Sequence, residues 1–317
     1  MTAVTSFVLP VYNAADVIAE TVESILGQTD RDFELIVVDD GSRDTTPRVL
    51  AAYAARDARI RVVTQANAGI TCALIAGCAL ARGKYIARHD AGDWSDPERL
   101  AEQRALLDRD DEVAFVSCWT EFVGPQREQL FTSRGPAEVL RPAVIIDVTR
   151  EHGIIGGPTH HGSVVFRRDA YQRAGGYRRE FYYGQDWDLW YRLAALGRFQ
   201  IVPRVLYFAR IDEKSISSAS REAQRRLAKL SHAALLARSR GQSDAAIVAE
   251  ASAVRPQQRR WCARGRGLYF IGEALRRNGD ERARNYLARA VRSCPLHVKA
   301  WIRLAQTLLW KTRRSAS

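Results

Sequence analysis

The first ninety residues alternate between short apolar runs and stretches whose apolar positions recur every three to four residues. "VTSFVL" reads as a buried strand and "PVYN" as its exit loop. In "AADVIAETVESILGQ", Val17, Ile18, Val22, Ile25 and Leu26 fall on one helical face. "FELIVVDDGS" is a continuous apolar strand of the parallel-sheet type, ended by Asp39, Asp40 and Gly41. "RDTTPRVLAAYAA" predicts a helix with Asp44 or Thr45 as N-cap and Pro47 in its first turn. "IRVVT" predicts a strand, "NAGITCALIAGCALARG" an apolar helix closed by Gly83, and "KYIARHD" another strand. Strand and helix in strict alternation predict an α/β class with a parallel sheet covered on both faces.

The pattern then loosens. "SDPERLAEQRALLDRD" predicts a helix capped near Ser95 or Asp96, and "VAFVSCWTEFV" a strand. Residues 124–160, rich in Gly, Pro and charge, predict a long loop with a helix over Pro136–Ile146. "GSVVFRRDAYQRAGGY" predicts a strand and short helix, "GQDWDLWYRLAALG" an amphipathic helix, and "FQIVPRVLYFARI" a last strand. From Ser218 the periodicity is helical, and two domains are expected, 1–217 and 218–317. Within the second, "RRNGDER" places a Gly-Asp turn between two helices, and Pro295 precedes a third. These helices resemble about one and a half tetratricopeptide-type hairpins. Such arrays need about three repeats to stand alone, so this one is expected to pack on the rest of the chain or on a partner.

At 317 residues, with 46% hydrophobic and 26% charged positions, the composition is that of a soluble globular protein. The net charge of +12 changes the picture because it is unevenly placed. From Ala219 onward there are 22 Lys/Arg and 6 Asp/Glu, against 26 and 30 before it. A basic helical region fits an anionic membrane surface, nucleic acid or an acidic protein. Few aromatics interleave its basic clusters, so nucleic acid is set aside. "HVKAWIRLAQTLLWKTRR" mixes Trp301, Ile302, Leu304, Leu308, Leu309 and Trp310 with Lys299, Arg303, Lys311, Arg313 and Arg314. It reads equally as a helix lying on an anionic bilayer and as one packed on the preceding hairpin with a solvated basic end. Five widely spaced cysteines with no C-x-x-C pair argue against a disulfide framework or zinc site and for a reducing cytosol. No segment approaches the roughly 18 to 20 apolar residues that span a bilayer. The first residues lack a basic n-region and read as a strand, not a signal peptide. The expected location is cytoplasmic, with peripheral attachment to the inner membrane face as an option.

Two acidic clusters end predicted strands: Asp39 with Asp40, and Asp90 with Asp93. Buried carboxylates are costly unless paired or holding a metal, and ligands of open α/β sheets sit beyond the carboxyl ends of strands. Both clusters are therefore expected on one sheet edge. Five motifs in order, "LPVYN", "VVDDGSRDTT", "NAGITCALIAG", "YIARHDAGDW" and "GQDWDLWYRL", resemble the signatures of family-two, inverting, GT-A-fold glycosyltransferases over about residues 4–215.

That resemblance implies a nucleotide-diphospho-sugar donor, most simply a UDP-sugar, and a glycan or lipid-linked acceptor. Pro10 and Tyr12 with Asp39 and Asp40 would form the base pocket, Asp40 accepting from a pyrimidine N–H and Asp39 holding base or loop. From the residues alone, Asp39 and Asp40 read equally as caps of an Asp-Gly turn. Asn67 would lie in a donor-contacting N-x-G turn, although Ile75 replaces a polar residue common in the family. Asp90 and Asp93 would hold the ribose and a divalent cation, Mn²⁺ or Mg²⁺. The common motif is "DADD"; Gly92 stands where the usual metal-binding carboxylate would be, and Asp93 has the alternative role of helix cap. His89 is read as structural. Asp186 would be the general base, and Gln185, replacing a Glu, removes one like charge that would raise its pKa. Asp188 and Arg192, four apart, read as an ion pair. His161, Trp187 and Trp190 are acceptor-side candidates, with core packing the competing role of the aromatics; His160 is given no role. Arg210 matches a phosphate-contacting position of an "R-x-H" segment in which Asp212 replaces the His.

These residues give an inverting, metal-dependent transferase as the first reading. The competing reading, raised by Gly92, Gln185 and Asp212, is a catalytically weakened relative that binds nucleotide or a protein partner through its helical tail. A nucleotidyltransferase ranks last, because "LPVYNAAD" has no glycine to cradle phosphate.

Overall fold

A computed structural model describes residues 3–135, 157–213, 221–254 and 262–314. The helix expected over Pro136–Ile146, and Lys214, lie outside the described residues. The chain forms two compact units. The first comprises residues 1–120, 133–209 and 226–255; the second comprises 121–132, 210–225 and 256–317.

The first unit opens as the hydropathy pattern predicts: β1 (Thr5–Val11), α1 (Ile18–Leu26), β2 (Phe33–Asp39), α2 (Thr46–Arg56), β3 (Ile60–Thr64), α3 (Ile70–Leu80) and β4 (Tyr85–Arg88). The four strands are parallel, with β1 between β2 and β4 and β3 beyond β2. Then follow β5 (Trp94–Ser95), α4 (Arg99–Arg109), β6 (Val113–Val123), β7 (Gln129–Ser133), a 3₁₀ turn (His161–Ser163), β8 (Val165–Arg167), α5 (Arg168–Arg173), α6 (Gln185–Ala194) and β9 (Arg198–Arg210). The sheet order is β3-β2-β1-β4-β8-β6-β9-β5, and β8 enters antiparallel to β4.

The period-two alternation of strand side chains sorts two cores onto opposite faces of this sheet. Phe7, Leu9, Val11, Leu35 and Val37 meet Ile18, Val22 and Ile25 of α1, Leu50 of α2, and Leu100 and Leu107 of α4. Val8, Ile36, Val38 and Ile86 meet Leu74 of α3 and Leu189, Trp190 and Leu193 of α6. Each such Leu or Ile contributes about 1.5–3 kcal/mol by leaving water, which fixes the strand ends that carry the acidic clusters. Residues 226–255 group with this unit although their sequence is helical. Leu235 lies in the second of these cores, and Asp244 accepts from Arg178 at 2.7 Å.

The second unit holds the end of β6, β7 and the helices Ala263–Arg277, Ala283–Ser293 and Val298–Arg314. Leu268, Ile271, Leu275, Ala283, Tyr286, Ala290 and Ala300 pack around Leu130. Tyr286 Oη donates to the buried Glu128 at 2.6 Å, and the Asn278 amide donates to the carbonyls of Gln129 and Leu130. The short helical array therefore does not stand alone; a hairpin 148 residues away in sequence closes its core. The cysteine expectation is corrected here: Cys262 and Cys294 form a disulfide. Their spacing of 32 residues across two helices gave no local signal of the pair. On the last helix Val298, Trp301, Ile302 and Leu308 are exposed along one stripe.

Candidate active site

Parallel pairing sets the ends of β1, β2 and β4 side by side, with Val11 opposite Asp39 and Val8 opposite Arg88. Asp39 and Asp40 are both buried. Asp40 Oδ1 accepts from Gln65 Nε2 at 2.7 Å and Ala68 N at 2.9 Å, and its Oδ2 from Gly69 N at 2.8 Å. Asp40 thus holds the turn that contains Asn67, which is exposed. Asp39 Oδ1 accepts from Ser42 N at 3.0 Å, while its Oδ2 is buried with no hydrogen-bond partner among the described residues. The open acceptor belongs to Asp39, one of the two carboxylates expected at the base pocket, while Asp40 is engaged by the turn. Pro10 is buried in β1, and Tyr12 just beyond it is 48% exposed. Tyr182 lies against Gly69, and Thr71 Oγ1 donates to Phe181 O at 3.0 Å, which ties the segment before α6 to this turn.

Two arginines, Arg88 at the end of β4 and Arg99 at the start of α4, are fully buried. Arg88 donates to Asp90 Oδ1 at 2.5 Å, to the His89 carbonyl, and to His161 Nδ1 at 3.4 Å. Arg99 donates to Ser95 Oγ, to Gln103 Oε1, and to the carbonyls of Arg88 and Gly162. Burial works against the Asp90 charge, but the Arg88 guanidinium together with His161 and His160 outweighs it and holds the carboxyl well below the usual range. Tyr207 Oη donates to Asp93 Oδ2 at 2.7 Å and accepts from Asp90 N at 3.1 Å. His89 is structural, as expected: it is buried, with its ring nitrogens on Ser95 Oγ and Asp90 O.

Gly92 has φ +95°, a conformation that disfavours any side chain, and its N–H donates to Thr21 Oγ1 at 2.9 Å. The position is built for a turn and not for a carboxylate. The third polar group comes instead from His160, whose Nδ1 lies 3.9 Å from Asp90 Oδ2 and 3.8 Å from Asp93 Oδ2. One ligand atom from each of Asp90, Asp93 and His160 falls within 4.8 Å of the other two. Gly162 N donates to His160 Nδ1 at 3.1 Å, so the nitrogen facing the carboxylates is the unprotonated one. Burial lowers the His160 pKa to about 4, so the ring is neutral at pH 7. Gly162 is itself required: a Cβ there would sit 1.9 Å from Tyr207 Oη. His161 receives Arg88 on Nδ1 and meets Tyr177 Oη through Nε2 at 3.1 Å.

Asp186 is the second residue of α6, half-buried, with Oδ1 accepting from its neighbour Trp187 N at 2.9 Å. Burial raises its pKa to about 6, and Arg88 and Asp90 are close enough to act on it with opposite signs. Burial thus supplies what the missing Glu at Gln185 does not. Asp188 and Arg192 are the expected ion pair, fully buried, with Arg192 NH2 donating at 2.5 Å. Trp190 is buried in the core, its ring 5.0 Å from that of the half-buried Trp187 and 6.3 Å from His161. Arg210 ends β9 and belongs to the second unit.

A family model described as glycosyl transferase family 2 matches residues 6–175. EpsE of Bacillus subtilis (strain 168), which carries a provisional glycosyltransferase name, is 33% identical over 222 residues, covering 68% of this chain and 76% of its own. The chondroitin synthase of Escherichia coli is 28% identical over 208 residues, covering 64% of this chain and 28% of its own. Among solved structures, residues 1–349 of S. aureus TarS in complex with UDP align with a TM-score of 0.54 at 16% identity, covering 99% of this chain and 92% of that one. The mannosyltransferase PcManGT from Pyrobaculum calidifontis, in complex with GDP-Man and Mn²⁺, aligns with a TM-score of 0.55 at 21% identity, covering 98% and 86%. These structural likenesses show a shared fold. No helix among the described residues is long and apolar enough to cross a membrane.

Proposed function

The chain belongs to glycosyl transferase family 2, and from that premise we propose that it is an inverting transferase moving a sugar from a UDP-sugar to a hydroxyl of a glycan or lipid-linked acceptor. The observation that carries this reading is Asp186. It is half-buried, its pKa is raised to about 6, and it feels the charge of Asp90. A base tuned near the working pH is what proton removal from an attacking hydroxyl requires. In this reading Asp186 takes that proton as the hydroxyl attacks the anomeric carbon from the face opposite the nucleotide. Tyr12 and the open Asp39 oxygen receive the base, while Asp40 holds the Asn67 turn in place. Arg88 keeps Asp90 ionised and fixes one of its oxygens.

Two carboxylates and a neutral imidazole, whose Nδ1 would exchange its hydrogen bond from Gly162 N for the metal, form a donor set that suits a divalent cation such as Mn²⁺. When bound at Asp90, Asp93 and His160, such a cation supplies Lewis-acid stabilisation of the departing diphosphate. The mannosyltransferase with a comparable fold was solved with GDP-Man and Mn²⁺, and TarS with UDP and with UDP-GlcNAc. Those complexes support a nucleotide-sugar donor here. We place the protein at an anionic membrane surface through the exposed stripe of its last helix. Calorimetric titration with UDP, with and without Mn²⁺, tests the assignment. Binding that tightens with Mn²⁺ is expected; absence of binding to UDP, GDP and dTDP alike would overturn it.

A further inference from the structure

In the same unit, α5, the later turns of α6 and the helix Arg221–Ser239 line a cavity of about 560 Å³. Four arginines form its polar wall, Arg173, Arg178, Arg192 and Arg238, and Ala174, Tyr191 and Leu235 are part of its apolar wall. Two carboxylates face them. Asp188 Oδ2 is taken by Arg192, whose remaining nitrogen donates to the carbonyls of Ala174 and Gly176, and Asp188 Oδ1 lies 3.8 Å from Arg178. Arg192 is therefore saturated and structural. Asp244 Oδ2 alone receives both Arg178 at 2.7 Å and Arg238 at 2.5 Å. Arg238 NH2 is buried without a hydrogen-bond partner among the described residues, and Arg173 is exposed with no acidic partner among them. Four cations against two anions leave an excess of two positive charges around one concavity. Burial lowers the Arg192 pKa, Asp188 opposes this, and Arg178 and Arg238 lower it further, as like charges held together do.

We propose that this cavity binds a phosphate-bearing ligand at a site separate from the donor pocket, with Arg173, Arg178 and Arg238 as its recognition groups. A phosphate dianion matches the excess charge, and guanidinium forks match its oxygens; a single carboxylate supplies half that charge. The volume holds a phosphate with a sugar-sized or short apolar neighbour, and the Ala174–Tyr191–Leu235 wall suits either. The shared chemistry is a phosphomonoester, carried by a soluble molecule or by a lipid headgroup. The proposal does not depend on the assignment of Asp186.

The test is calorimetric titration of the full chain with inorganic phosphate, using wild type, Arg173→Gln/Arg238→Gln, and Arg225→Gln/Arg226→Gln as a control with the same charge change outside the cavity. Saturable binding is expected in wild type and control, weakened about tenfold or more in the cavity variant, which loses two charge-assisted donors. Melting curves confirm that the variants are folded. Absent saturable binding, equal binding in the cavity variant, or equal loss in the control overturns the site. Flotation with phosphatidylcholine vesicles containing phosphatidic acid then separates the sources. Loss confined to the cavity variant identifies a lipid headgroup, and a phosphate effect without a vesicle effect identifies a soluble ligand.

Discussion

Replacing Asp186 by Asn separates its chemical role from the burial that tunes it. Burial raises the Asp186 pKa from 3.8 to about 6, so the native fold prefers the neutral acid. That preference stabilises the fold fully below the unfolded value and is lost as pH rises through about 6. At pH 7.5 the wild type keeps a carboxylate where its fold favours an uncharged group. A shift of about two pH units corresponds to about 3 kcal/mol, and residual solvent contact brings the expected cost to about 1–3 kcal/mol. Asn keeps the bond from Trp187 N and carries no charge. Asp186→Asn should therefore be more stable than wild type at pH 7.5 by about 1–3 kcal/mol, with the difference vanishing near pH 4. Urea midpoints in EDTA measure this, because a cation near Asp90 would change the field at Asp186. Transfer should fall by about 10²–10⁴-fold while UDP binding persists. In wild type, kcat should drop about tenfold per pH unit below 6. Equal stabilities at pH 7.5 would refute the burial argument, and wild-type transfer by the Asn variant would refute the base.

Three further outcomes are expected. Tyr286→Phe leaves the buried Glu128 carboxylate without its 2.6 Å donor and should cost about 1.5–3 kcal/mol in urea unfolding; a loss under about 0.5 kcal/mol would remove this bond as a tie between hairpin and helices. Cys262→Ser opens a loop spanning 32 residues and should cost about 3–4 kcal/mol by chain entropy; two free thiols at these positions in oxidised native protein would exclude the pair. Trp301→Ser/Ile302→Ser/Leu308→Ser should reduce binding to anionic liposomes while leaving the melt unchanged, since all three are exposed; unchanged binding would end the membrane assignment.

Much of the architecture is legible because its causes are local. β1–β4 and α1–α3 follow from hydrophobic period, and parallel pairing then places Asp39, Asp40 and Asp90 on one edge without further information. Asp186 is legible as the start of an amphipathic helix. The rest depends on contacts distant in sequence. Arg88 and Arg99 are charged residues in a buried setting, held there by Asp90, Ser95, Gln103 and three carbonyls. A charged residue inside the otherwise apolar "KYIARHD" was the available signal. The hairpin that closes the second core and the Cys262–Cys294 pair leave no periodic trace at all. His160 sits in a Gly-rich stretch with no period, and hydroxyl contacts fix its loop: Ser163 Oγ with Ser117, and Thr159 Oγ1 with Thr120.

His160 also changes what Gly92 means. The sequence alone suggests that a lost carboxylate leaves a damaged cation site. The φ of +95° at Gly92 shows a turn that sends Asp93 inward, to Tyr207, while the loop at 157–163 delivers an imidazole to the same point. Exchanging a carboxylate for a neutral nitrogen removes one negative charge and softens the donor set. Imidazole favours transition metals, whereas Mg²⁺ prefers oxygen and holds its water. The expected order of metal-dependent UDP binding is therefore Mn²⁺ ahead of Mg²⁺. His160→Asn, which offers oxygen in place of nitrogen, should weaken the Mn²⁺ effect about tenfold or more while narrowing the gap to Mg²⁺. Calorimetry with each cation in turn decides it. An unchanged Mn²⁺ response in His160→Asn would mean that the imidazole only props its loop, and that Asp90 and Asp93 act without it.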